Sequence, residues 1–118
     1  MTKNSLTKIA RWFERLVGYQ PRFNTIMCDD LPDVCEANNL YIVGENNTYW
    51  MAALVCPCGC GDLIQLALDQ TGRPRWQVFV NKRLEATLRP SVHRKVGCRS
   101  HFVFRDGRII WCHDRVLL

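Results

Sequence analysis

The run Tyr49-Trp50-Met51-Ala52-Ala53-Leu54-Val55 passes without a break into Cys56-Pro57-Cys58-Gly59-Cys60-Gly61. A run apolar at consecutive positions, and too short for a typical helix, reads as a strand covered on both faces, hence a central one. The turn behind it holds thiols on alternate residues. No helix face gathers three such side chains, whereas a tight turn with two glycines converges them. Strand period continues outward from this point. Leu40-Tyr41-Ile42-Val43 lies upstream, joined through the hairpin-like turn Gly44-Glu45-Asn46-Asn47. Downstream come Leu63 to Leu68, the breaker Thr71-Gly72-Arg73-Pro74, Trp76 to Val80 and a short run at Ala86-Thr87-Leu88. His101 to Phe104 and Arg108 to Trp111 flank Asp106-Gly107, a favoured two-residue hairpin turn.

The cysteine turn has a counterpart. Cys98-Arg99-Ser100-His101 is a Cys-x-x-His step placed just before a strand. Tetrahedral zinc takes sulfur and imidazole nitrogen, commonly from two separated pairs. Cys56, Cys58, Cys60, Cys98 and His101 therefore compete for four positions. Cys58, Cys60, Cys98 and His101 are the preferred set, and Cys56 can replace either of the first two. A closed shell of this kind makes the single ion structural rather than catalytic. A Rieske-like iron–sulfur cluster fits less well, because the first motif has cysteine where that signature needs histidine. Cys28 and Cys35 have no ligand spacing, and Cys112-His113 point to opposite faces of a strand. His93, within Pro90-Ser91-Val92-His93, reads as a solvent-facing loop residue, with a fifth ligand or a general base as the alternatives.

Residues 5–17 carry a different period. Leu6, Ile9, Ala10, Phe13, Leu16 and Val17 make one apolar stripe, with Asn4 or Ser5 as cap and Gly18 as stop. The expected class is α+β, with one N-terminal amphipathic helix and a small, mostly antiparallel β domain stapled by a metal site. Residues 1–22 would be helix and linker, and residues 23–118 the zinc-binding β-rich domain.

The 118 residues suit one domain, and their formal charge of +5 is unevenly spread. Residues 1–22 carry +4, residues 23–69 carry −7 with no Lys or Arg, and residues 70–118 carry +8. The first residues form no uninterrupted signal h-region, and the longest apolar run, Tyr49 to Cys56, falls far short of a membrane span, so the expected location is the cytoplasm. Seven cysteines in a reducing compartment point to metal or thiol chemistry rather than disulfides.

Taken together, Cys56-Pro57-Cys58-Gly59-Cys60-Gly61, Leu88-Arg89-Pro90-Ser91, Cys98-Arg99-Ser100-His101-Phe102, Asp106-Gly107-Arg108 and Trp111 resemble a bacterial family of small zinc-binding proteins of unknown function. The resemblance spans about residues 26–112. Some of its members are encoded beside ubiquitin-like conjugation genes, others in mobile or defence-related regions. It implies that Cys56, Cys58, Cys60, Cys98 and His101 share one site, and it says nothing of the N-terminal segment.

The expected function is a zinc-stabilised binding or adaptor module that docks a protein partner in such a conjugation or defence pathway. Nucleic-acid binding is the alternative. Arg73, Arg75, Lys82, Arg83, Arg89, Arg94, Lys95, Arg99, Arg105 and Arg108 would meet phosphates, and Trp76 and Phe102 would stack on bases. A metal-dependent hydrolase or redox protein ranks third, since it needs an open metal position or a cluster.

Overall fold

The computed structural model describes residues 22–68 and 75–112. The amphipathic stretch 5–17 lies outside the described residues. Within them the chain is β throughout: β1 Asn24–Cys28, β2 Asn39–Glu45, β3 Thr48–Val55, β4 Leu63–Ala67, β5 Gln77–Val80, β6 Ala86–His93, β7 His101–Arg105 and β8 Arg108–Trp111. No helix occurs among the described residues, which corrects the α+β expectation. That class rested on the helical period of 5–17 alone. The apolar runs from residue 23 onward have strand length, and the β2–β3 and β7–β8 pairs are closed by two-residue turns.

Two four-stranded sheets result, in the orders β1-β2-β3-β4 and β5-β6-β7-β8. All pairings are antiparallel except β1 with β2, which runs parallel from Asn24↔Asn39 to Cys28↔Val43. Strand β3 is central, as its apolar run requires. The edge strand β1, paired with β2, is absent from the sequence reading, because an edge strand without a hairpin partner carries no turn signal of its own. The hairpin turns follow their residues. Asn46 and Asn47 have φ of 52° and 62°, and Asp106 and Gly107 have 49° and 76°, the left-handed pair that a two-residue hairpin turn needs.

Gly44 sits at a register shift next to Val43. The space a Cβ would occupy is already filled by the Thr48 carbonyl oxygen and the Tyr49 side chain. Gly44→Ala should therefore cost about 1–3 kcal/mol, as overpacking does. A denaturant midpoint unchanged from the parent chain would contradict this packing.

The two sheets share one core. Leu40, Ile42, Leu54 and Leu66 from the first meet Leu88, Val92, Phe102 and Phe104 from the second, all essentially buried. Full burial of each large apolar side chain contributes about 1.5–3 kcal/mol. Phe23 stands edge-on to Phe104, with ring centroids 5.2 Å apart. Backbone bonds also join the sheets: Phe23 N–H donates to Gly107 O at 2.7 Å, and Trp76 N–H to Ala67 O at 2.8 Å. The Arg22–Glu85 ion pair at 2.7 Å is half exposed on the arginine side, so it adds little. The core thus holds two features in fixed relation: the turn after β3 and the β6–β7 hairpin.

Candidate functional site

Past Val55 the chain curls at once. Cys56 N–H donates to Asp62 O at 2.8 Å, and Gly59 N–H to Cys56 O at 3.2 Å. Gly59 and Gly61 take φ of 94° and 89°, values that only glycine adopts without strain. The curl turns Cys56, Cys58 and Cys60 toward the β6–β7 connection, where Cys98 follows Gly97 at φ 72°. All four sulfurs lie within 4.8 Å of one another. Cys56 Sγ is 3.5 Å from Cys58 Sγ and 3.6 Å from Cys98 Sγ. Zn–S bonds of about 2.3 Å in a tetrahedron set sulfurs roughly 3.8 Å apart, so the four cysteines have the spacing of a metal shell.

Electrostatics within the group are uneven. Burial pushes the Cys56 thiol up to about 12. A hydrogen bond from Ser100 lowers Cys98 to about 6, favouring the thiolate that a metal requires. Ser100 Oγ lies 3.2 Å from Cys98 Sγ and 3.7 Å from Cys56 Sγ, and it is the buried polar side chain of the core. Arg94 Nη1 donates to Cys98 Sγ at 3.4 Å and to Asp62 Oδ2 at 3.2 Å. Four thiolates about a divalent ion leave a net charge of about −2, and the guanidinium stands where it offsets that charge.

Of the five expected ligands, Cys56, Cys58, Cys60 and Cys98 are therefore brought together. His101 is directed elsewhere: its Nε2 lies 3.0 Å from Ser91 Oγ. The reason is the strand geometry. His101 begins β7 and pairs with His93 at the end of β6, so the two rings stack with centroids 4.2 Å apart and planes 11° from parallel. His93 is exposed but belongs to a strand, not to a loop.

Ser91 reaches His101 through an irregularity. Leu88 pairs with Phe104 and Val92 with Phe102, so Arg89, Pro90 and Ser91 together oppose Val103 alone. Bulges of this kind re-aim side chains and are common beside active sites. The Trp76 indole Nε1 donates to the Ser91 carbonyl at 3.3 Å and pins the bulge from the β5 side. Ser91 was not singled out from the sequence, since its role depends on β6 continuing through Pro90 to His93. No local signal marks the pair, because the contact depends on this register.

The remaining candidates fall outside both clusters. Cys28 Sγ is 3.9 Å from the Ile42 carbonyl, and Cys35 Sγ is 3.7 Å from that of Pro32. Burial raises both thiols above their ordinary range. Cys112 is half-buried, with its N–H donated to His101 O at 2.9 Å. Phe102 is fully buried and cannot stack on a base. No helix of the described residues is long and apolar enough to cross a membrane.

Comparison with known proteins bears on the second cluster as well as the first. No curated protein and no solved structure gives a significant match. The family described as "Bacterial ubiquitination-like system serine protease (BubE)" matches residues 27–112, which contain both the four-cysteine group and the Ser91–His101 pair. The match covers well over half of the chain, and the chain belongs to the BubE family of bacterial ubiquitination-like systems.

Proposed function

We propose that this chain is a serine hydrolase acting on acyl bonds within a bacterial ubiquitination-like system, with Ser91 as nucleophile and His101 as general base. The observation that carries the reading is the 3.0 Å contact between Ser91 Oγ and His101 Nε2. It supports catalysis over the adaptor role expected from sequence, and so does the family's description. A serine hydroxyl is a weak nucleophile until a base within hydrogen-bond reach accepts its proton. With the proton of the neutral ring on Nδ1, Nε2 accepts from the Ser91 hydroxyl.

The steps then balance. Ser91 Oγ attacks the acyl carbon as His101 Nε2 takes the hydroxyl proton. The imidazolium returns that proton to the departing nitrogen or oxygen, leaving an acyl-serine. A water gives a proton to Nε2 and attacks the acyl carbon, and Ser91 recovers its proton as the acid is released. His93 is a positioning residue: its ring lies flat against that of His101 and limits rotation about the imidazole bonds.

The four cysteines take the structural part, as ligands to one zinc ion. This set takes Cys56 in place of His101, whose imidazole contacts Ser91 instead. Bound zinc would cross-link the β3–β4 turn to the β6–β7 connection and leave no position open for water.

A direct test uses the system's ubiquitin-like protein carrying a C-terminal extension, followed by intact-mass spectrometry. Time-dependent hydrolysis by the parent chain is expected, with none by His101→Ala. Equal cleavage by the two proteins would overturn the assignment.

A further inference from the structure

A cavity of about 260 Å³ is lined by Tyr49, Leu68, Trp76, Gln77, Val78 and Phe79. Its wall is mostly apolar and aromatic, with the Tyr49 hydroxyl, the Trp76 indole N–H and the Gln77 amide as its polar side-chain groups, and no lining residue is charged. Phe79 is 49% exposed, and the neighbouring Val80 is 37% exposed. An exposed apolar surface at a concavity is a usual sign of a ligand. Trp76 makes this cavity part of the site. One indole lines it and also donates to the carbonyl of Ser91, so the wall is continuous with the residue that becomes acylated.

Phe79 also contacts the bulge. The Arg89 guanidinium carbon lies 5.3 Å from the centroid of its ring, and Arg89 stands in the same bulge as Ser91. The cavity is too small for a folded partner and large enough for one or two side chains. Beyond the Trp76 N–H already given to Ser91, its largely apolar lining offers a charged side chain only the Tyr49 hydroxyl and the Gln77 amide as side-chain hydrogen-bonding groups, so desolvation disfavours it relative to an apolar one.

We infer that this cavity is a substrate-recognition pocket, which takes an apolar side chain from the acyl segment of the protein substrate, close to the bond that is cut. The inference rests on the serine hydrolase reading above and adds to it a preference of sequence. Burying a leucine-sized group rather than leaving it in water is worth about 10-fold or more in rate when the gain is realised at the transition state.

The test measures the rate at which peptidyl phosphonates label Ser91. Leu, Phe or Asp is scanned through the acyl-side positions, and a small alkyl fluorophosphonate without a peptide serves as reference. At one position Leu or Phe should label at least about 10-fold faster than Asp. In Phe79→Ala, with each rate divided by that variant's own rate for the small probe, this preference should fall to about 3-fold or less. Labelling by the small probe with no apolar preference at any position would overturn the pocket alone. So would a preference that Phe79→Ala leaves intact. Absence of any label from the small probe would overturn the hydrolase reading, and the pocket with it.

Discussion

Ser91→Ala is expected to lower kcat/KM for hydrolysis by about 10³-fold or more, with the melting temperature nearly unchanged. The side chain is half-buried in a bulge, outside the apolar core, and its loss opens no large cavity. Without Oγ there is no acyl-serine, and only transition-state binding remains to accelerate attack by water. His101→Ala should cause a loss of similar size, because a nucleophile and its base act as a unit. The double variant should then be scarcely worse than either single one. Progress curves on the extended ubiquitin-like protein, paired with thermal melts, check both statements. Retention of more than about a tenth of the parent rate in Ser91→Ala would contradict the account.

The second large effect concerns the cysteines. Removing the metal with a chelator, or replacing Cys98 with Ser, is expected to lower the melting temperature by more than about 10 °C. Apparent site energies of about 10–16 kcal/mol match or exceed the whole stability of a small domain, about 5–15 kcal/mol. Cys98 lies between β6, which bears Ser91, and β7, which bears His101. Chelation should therefore also release the hairpin that sets the 3.0 Å contact. Elemental analysis should find one zinc per chain. Cobalt in its place should show the intense near-ultraviolet charge-transfer bands of thiolate ligation. A melt that chelator leaves in place would contradict the structural role, and so would cobalt without thiolate bands.

Much of this was legible in the sequence, for identifiable reasons. The central strand, the two hairpin turns and the gathering of thiols after β3 follow from local chemistry: an apolar run, left-handed Asn and Gly residues, and thiols crowded into a glycine turn; the set preferred from sequence held His101 and kept Cys56 as a substitute. The Ser91–His101 pair was not. It depends on strand register, which sequence does not specify where a bulge intervenes, and here Arg89, Pro90 and Ser91 share one partner residue. Cys98-Arg99-Ser100-His101 has ligand spacing, yet His101 opens a strand whose pairing with His93 turns its ring to Ser91. Strand β1 was hidden for a related reason: its partner β2 is parallel and lies beyond the acidic loop from Asp29 to Asn38.

The most direct test of the central claim is tandem mass spectrometry of the chain after exposure to a small alkyl fluorophosphonate. The account predicts one adduct per chain, carried by the peptide containing Ser91 and located on that residue, with none formed in His101→Ala. No adduct on the zinc-loaded chain would contradict it, as would an adduct confined to another residue.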